Sequence, residues 1–277
     1  MEFLKDLKDF VRSGSLDFVK ARRPATESNP PEILEFKWRG NRIFYRSGTS
    51  DRGLIYEVLI RSPKKAEYFV SEEIRPEVIF DIGANIGIAS LWLAEKYPYA
   101  KIHAFEPMPE NIALLKRNTQ HNPNILVHEF GLSNENKTVP VYRNLDANNL
   151  GGFSEFRREN DPQNAGNLEL VNFHMNVRST QEVLDELQLK SLDLIKIDTE
   201  GGEFEIIRSI PLPLLKKVSW LMGELHGRHV FETLALIDPW MSVGMTKSIG
   251  SEVFTFFAKN RNLLTDGKYS ISPVCAG

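Results

Sequence analysis

The chain has 277 residues, 42% apolar and 26% charged, which suits one large α/β domain or a domain plus an extension. A net charge of -3 offers no basic surface of the kind that binds nucleic acid without regard to sequence. One cysteine, Cys275, can form neither an internal disulfide nor a structural zinc site. No stretch reaches the roughly 20 apolar residues of a membrane span. The start mixes charges into its apolar residues and lacks a secretory signal pattern, so a cytoplasmic location is expected.

In chain order, Phe3, Leu4, Leu7, Phe10 and Val11 have helical spacing. The charged, Pro-containing stretch Lys20 to Pro31 reads as a linker. Ile33 to Trp38 and Arg42 to Arg46 flank Gly40-Asn41 as a hairpin would. Asp51 caps a predicted helix from Arg52 towards Ile60, and a second short helix is expected near Lys65 to Val70. Residues 1–72 are therefore taken as an extension packed on a main domain at 73–277.

From Glu77 strands alternate with helices: a strand at Val78 to Asp81, a helix over Ile86 to Lys96, a strand at Lys101 to Phe105 and a helix from Pro109 to about His121. Strands follow at Ile125 to Glu129 and Thr138 to Arg143. Residues 144–178 are Asn-, Gly- and Arg-rich and read as an irregular substrate loop, in which Arg157 and Arg158 are candidate contacts for an anionic group. Then come a capped helix after Ser179-Thr180, a buried-type strand at Leu192 to Asp198, a helix over Glu203 to Ser209 and a strand at Val218 to His226. A largely helical stretch is expected over Phe231 to Val243, a last strand over Val253 to Phe257, and a loose tail from Asn260. Repeated βα units imply right-handed crossovers and a doubly wound, mostly parallel sheet.

The chemistry concentrates at the strand tips. Asp81-Ile82-Gly83-Ala84-Asn85-Ile86-Gly87 joins strand to helix, and its glycines allow a tight turn and close approach of a ligand. Open α/β sheets bind ligands at the carboxyl ends of their strands. The spacing is G-x-x-x-G rather than G-x-G-x-x-G, with an acid two residues upstream. A carboxylate there repels a pyrophosphate and welcomes a cationic amino-acid end and a sulfonium; S-adenosylmethionine is such a cofactor. Glu106 ends the next strand, where a carboxylate can accept from ribose hydroxyls. Gly131-Leu132-Ser133 sits where a loop can cover an adenine.

The glycine loop, Phe105-Glu106-Pro107 and above all Ile195-Lys196-Ile197-Asp198-Thr199-Glu200-Gly201-Gly202-Glu203 resemble the FkbM family of S-adenosylmethionine-dependent methyltransferases over residues 78–226. The resemblance implies a class I (Rossmann-like) methyltransferase fold and O-methylation of a hydroxyl on a sugar or natural-product-like small molecule or glycan. It also implies cofactor contacts from Asp81, Gly83, Asn85, Gly87, Glu106, Leu132 and Ser133. One departure is that Ser133 and Asn134 follow Gly131-Leu132, where many relatives of this fold carry an acid beside the adenine.

On a strand Lys196 and Asp198 share a face, and a lysine in a central strand needs an acid nearby. Glu224 and His226 likewise share a face at the end of the following strand. His226 or Asp198 is the expected base, with Lys196 stabilising the alkoxide or ordering Asp198. Glu200, Glu203 and Glu224 are candidate substrate contacts; for Glu200 and Glu203 helix capping is an equally simple role. Asp198, Glu200, Glu203 and His226 are also a candidate set for a divalent metal, because some methyltransferases of this fold hold Mg²⁺ against acceptor hydroxyls. A second copy of the chain is a candidate partner. Two rival readings remain: an NAD-type oxidoreductase on a similar sheet, and a non-catalytic methyltransferase-fold scaffold.

Overall fold

The computed structural model describes residues 9–21, 24–25, 30–61, 68–144, 153–154, 168–247 and 253–264. Arg157, Arg158 and Cys275 lie outside them, as do most of the linker and the start of the first predicted helix; residues 9–13 are helical. Next along the chain comes a short helix, α1 (Leu16–Lys20), whose cap Ser15 accepts from the Phe18 amide. Strands β1 (Ile33–Trp38) and β2 (Asn41–Arg46) form the expected hairpin. Helix α2 (Asp51–Ile55) runs on as a π-helical turn over Tyr56–Ile60. Tyr68 to Val70 are not helical, which corrects that prediction for the described half of the segment. There the Phe69 ring packs against Trp220 and Phe257, and the Phe69 carbonyl accepts from the Trp220 indole at 2.9 Å.

The main sheet contains β3 (Val78–Ile82), β4 (Lys101–Phe105), β5 (Ile125–His128), β10 (Leu194–Ile197), β11 (Trp220–Leu225), β12 (Met241–Lys247) and β13 (Phe254–Asn260). Their order is β12-β13-β11-β10-β3-β4-β5. The five from β5 to β11 are parallel, while β13 runs against both β11 and β12. The chain builds outward from β3 to β5, then returns to β10 on the other side of β3. That reversal opens a crevice beyond the carboxyl ends of β3 and β10.

Strand parity sorts the core. On one face Ile79, Ile102 and Leu194 pack with α3 (Ile88–Lys96), α4 (Pro109–Thr119) and the N-terminal residues Phe18, Phe36, Ile43 and Tyr45. Each such side chain, fully buried, contributes about 1.5–3 kcal/mol. On the other face Phe80, Ile195 and Ile197 pack with α5 (Thr180–Leu187), α6 (Glu203–Arg208) and α8 (Val230–Ile237); the short α7 (Leu212–Leu215) precedes β11. The N-terminal hairpin is pinned to α4 by Asn118, which accepts from the Phe44 amide at 2.7 Å and donates to the carbonyls of Phe44 and Ile86.

Two predicted segments take a different form. The 144–178 stretch is not one irregular loop, because β9 (Leu168–Ser179) pairs along β7 (Lys137–Asn144). With β6 (Gly131–Ser133) and β8 (Phe153–Ser154) they make a second sheet, ordered β6-β9-β7-β8. The physical reason is strand alternation: Met175 and Val177 are buried while His174 and Asn176 are exposed. The region Phe231 to Val243 is helical only to Ile237, and Met241 begins β12. Gly244 belongs in that strand because a Cβ there would lie 2.3 Å from the Phe257 ring. Among the described residues no helix is long and apolar enough to cross a membrane.

Candidate active site

A cavity of about 400 Å³ opens at the switch point. Gly83 and Asn85 of the glycine loop, Glu106, Leu132, Lys196, Asp198, Glu200 and Glu224 all line it. Asp81, Gly87, Ser133, Glu203 and His226 do not; each of these lies behind the wall, for a reason visible in its contacts.

Asp81 is fully buried on the face packed against α3, where Ser90 donates to it at 2.6 Å. In the β3–β10 register it stands opposite Lys196, whose ammonium is 3.2 Å from its other oxygen. Lys196 also donates to the Gly83 carbonyl at 2.7 Å. The expected electrostatic welcome from Asp81 is therefore corrected: its charge is neutralised by Lys196, and the pair braces the loop from below. Lys196 accordingly answers to Asp81 rather than ordering Asp198.

The loop's glycines are forced by space. At Gly83, φ is 76° and a Cβ would fall 1.9 Å from the Asp198 carbonyl oxygen, so only glycine lets the loop lie on the end of β10. Gly87 caps α3 in the left-handed region, and its Cβ would strike Leu115 at 2.7 Å. It shapes the helix start and does not face the cavity.

Glu106 is 4% exposed. It accepts from the Asn85 amide at 2.8 Å, the Met108 amide at 3.0 Å and the Asn111 carboxamide at 3.2 Å. Burial pushes its carboxyl above the ordinary value, and those three donors draw it back. Three of a carboxylate's roughly four acceptor positions are thus taken, leaving room for one ribose hydroxyl where two were expected. Asn85 lines the cavity as well, and its side-chain oxygen is buried without a hydrogen-bond partner among the described residues. These groups fit the polar side of a nucleoside. Met108, Leu132, Met175 and Val177 supply an apolar wall beside them. Ser133 points away from that wall, its hydroxyl bonded to Asn134. The apolar wall from β9 was not anticipated; its signal was the Phe173-Met175-Val177 alternation.

The rim over β10 and β11 has another character. Glu203 is 2% exposed and turned inward, accepting from the Thr199 and Gly201 amides at 3.0 and 3.1 Å and meeting the His226 Nδ1 at 2.9 Å. Although burial raises its carboxyl, the His226 bond and the backbone donors bring it below the ordinary value. It is a staple of its own turn, not a substrate contact. On its other side His226 Nε2 lies 3.5 Å from Glu224 and 3.7 Å from Glu200. Burial alone would push this imidazole down, but contacts with Glu203 and Glu224 hold it up at about 11. An imidazolium has no lone pair to accept a proton, so the base role expected of His226 requires the neutral ring, which these acids disfavour.

Asp198 is half-buried on the cavity wall, and burial raises its carboxyl against the pull of Lys196 and His226. Tyr68 donates to its Oδ2 at 3.3 Å. Burial pushes Glu200 up to about 7, and its backbone sits at φ 57°. Asp198, Glu224 and His226 present one ligand atom each within 4.8 Å of one another. The extension reaches the cavity too, through Ser50, Gly53, Leu54, Glu57 and Tyr68. Sequence reasoning gave these residues no role in the site.

A mostly parallel seven-stranded sheet with one reversed strand, and a glycine loop at its switch point, defines the class I, Rossmann-like methyltransferase fold. The chain belongs to the FkbM methyltransferase family, whose domain model matches residues 81–270. It is 31% identical over 206 residues to Methyltransferase sdnD of Sordaria araneosa, covering 66% of this chain and 77% of that one. It is 26% identical to 31-O-demethyl-FK506 methyltransferase FkbM of Streptomyces tacrolimicus, covering 56% and 67%. Against the Hexuronic acid methyltransferase AglP of Haloferax volcanii it is 23% identical, covering 57% and 59%. The protein is a methyltransferase.

Proposed function

We propose that this methyltransferase uses S-adenosylmethionine and delivers its methyl group to a hydroxyl of a sugar or natural-product-like small molecule or glycan. The observation that carries the cofactor is Glu106, buried at the tip of β4 on the cavity wall and bonded to the Asn85 amide. Glu106 and Asn85 bind the ribose, the Met108–Leu132–Met175–Val177 wall takes the adenine, and the Gly83 loop faces the amino-acid end. When bound, the cofactor supplies a methyl already activated by a sulfonium. The acceptor reading rests on the relatives, one named for 31-O-demethyl-FK506 and another for hexuronic acid.

The protein's own residues have two tasks. They hold the acceptor oxygen in line, which is worth about 7–11 kcal/mol, and they take its proton, which adds about 10²–10⁴-fold. Asp198 is the proton acceptor in this reading: it lines the cavity, and burial raises its carboxyl above the ordinary value, which makes the carboxylate a stronger base. Glu200 and Glu224 accept from neighbouring hydroxyls. A second reading gives the rim a divalent metal on Asp198, Glu224 and His226, supported by their convergent ligand atoms. It requires a neutral His226. Stabilisation of the protein by Mg²⁺ or Mn²⁺, reversed by EDTA, would favour it over an imidazolium.

Calorimetry with S-adenosylhomocysteine tests the main reading. Binding is expected, and Glu106→Gln should weaken it at least tenfold, since hydrogen bonds to a charged group are worth about 1.5–3 kcal/mol. A wild-type protein that binds neither S-adenosylmethionine nor its product sinks the proposal. Labelled cofactor in a cell extract then identifies the acceptor; a labelled nitrogen would remove the hydroxyl assignment.

A further inference from the structure

Arg46 closes the hairpin strand β2 and is 8% exposed, yet nothing in the methyl-transfer chemistry calls for it. Asp51, 1% exposed, grips its guanidinium with both oxygens, at 2.7 and 2.8 Å. The same guanidinium donates at 2.8 Å to the side-chain oxygen of Asn111, a residue of α4 that is 2% exposed. The other end of that carboxamide donates to Glu106 Oε1. A carboxamide can in principle turn either end to a neighbour. Arginine carries only donors, so Arg46 fixes the oxygen of Asn111 on its own side and the NH₂ towards Glu106. Were the amide reversed, a carbonyl oxygen would face a buried carboxylate, a repulsive contact that also favours protonation of Glu106.

We infer that Arg46 is a positioning residue for cofactor binding, acting through Asn111 to keep Glu106 ionised and aimed at the ribose. This rests on the proposed S-adenosylmethionine reading and extends it to the N-terminal unit, which thereby becomes part of the nucleoside site. The simpler role, a staple joining the hairpin to α4, uses the same bonds, so stability alone does not separate the two. The charged groups around Glu106 are Lys196 and, by way of Asn111, the Arg46–Asp51 pair. Loss of the Asn111 donor leaves Glu106 with two backbone amides, and its carboxyl rises further.

The experiment is calorimetric titration of S-adenosylhomocysteine from pH 5 to 8 into wild type, Asn111→Ala and Arg46→Lys. Asn111→Ala keeps the Arg46–Asp51 pair and Arg46→Lys keeps a cation beside Asp51, and a thermal melt of each identifies the folded variants that are titrated. Binding weakened fivefold or more at pH 7 by Asn111→Ala is expected. In both variants the pH below which affinity falls should move upward, with a smaller change for Arg46→Lys. Wild-type affinity and an unmoved acid limb in folded variants, even with a lower Tm, would overturn the inference and leave the cofactor reading standing. Failure of the wild type to bind would bring down both.

Discussion

The two ends of the cavity solve opposite electrostatic problems. At the nucleoside end, each buried acid has donors waiting: Asp81 has Lys196 and Ser90, and Glu106 has Asn85, Met108 and Asn111. At the β10–β11 rim, Asp198, Glu200, Glu203 and Glu224 crowd about one imidazole. Matched charge holds a rigid cradle in one shape. Burial, with the neighbouring acids adding to it, raises the Asp198 and Glu200 carboxyls at the rim, and a carboxylate of raised pKa is the stronger base that proton abstraction needs. The same fold thus keeps a fixed binding half beside a chemically tense half.

Breaking the matched end should have the largest effect. Lys196→Met leaves Asp81 charged, fully buried and without its ion partner. Removing one partner of a buried pair costs about 3–5 kcal/mol, a large share of the stability of most domains. Denaturant unfolding should register that loss. The double change Asp81→Asn with Lys196→Met should recover much of it. A Lys196→Met protein as stable as wild type would mean that the cradle does not rest on this pair.

The rim makes a prediction with a definite sign. The folded-state pKa of His226 is held at about 11, above its ordinary 6.5. The imidazolium therefore contributes stability that is fully present below pH 6.5 and is lost as pH rises through 11. Compared in EDTA, wild type should exceed His226→Gln in stability by the widest margin near pH 6, with the margin narrowing steadily towards pH 11. His103 behaves in the opposite sense. Burial drives it down to about 4, so its contribution is lost as pH falls from 6.5 through 4. A margin for His226→Gln that does not change with pH would show that the rim histidine is neutral, as the metal reading requires.

What could be read from the sequence followed distance along the chain. The Gly83 loop, Glu106 and Asp198 each lie at the end of a buried apolar run, so strand parity and a glycine turn were enough to locate them. Lys196 was seen to need an acid, but which acid depends on the β3–β10 register, a contact between segments 115 residues apart in number. His226 was read by parity as sharing a face with Glu224, which its Nε2 does approach at 3.5 Å. Glu203, from the start of α6, also holds its Nδ1, and strand periodicity says nothing about a helix end. The β9 strand was hidden by the Asn- and Arg-rich composition around it. Tyr68 and Arg46 were missed for a further reason: an extension carries no motif, and its part in the site exists only once the chain is folded.

Tyr68 offers the finest test of the contrast, because it touches the tense half from the N-terminal side. Its hydroxyl donates to Asp198 at 3.3 Å, and its ring lies under the Lys196 ammonium at 5.6 Å. Tyr68→Phe removes the first contact and keeps the second. Stability should change by no more than about 0.5–1.5 kcal/mol, the usual worth of one hydrogen bond, and affinity for S-adenosylhomocysteine should hold. Stripped of that donor, the Asp198 carboxylate is harder to keep ionised, so the acid limb of the pH–rate profile should shift upward on the acceptor that labelling identifies. The rate on the plateau should fall only a few-fold. If the limb stays in place while the plateau collapses, Tyr68 shapes the acceptor pocket and Asp198 is not the group that titrates.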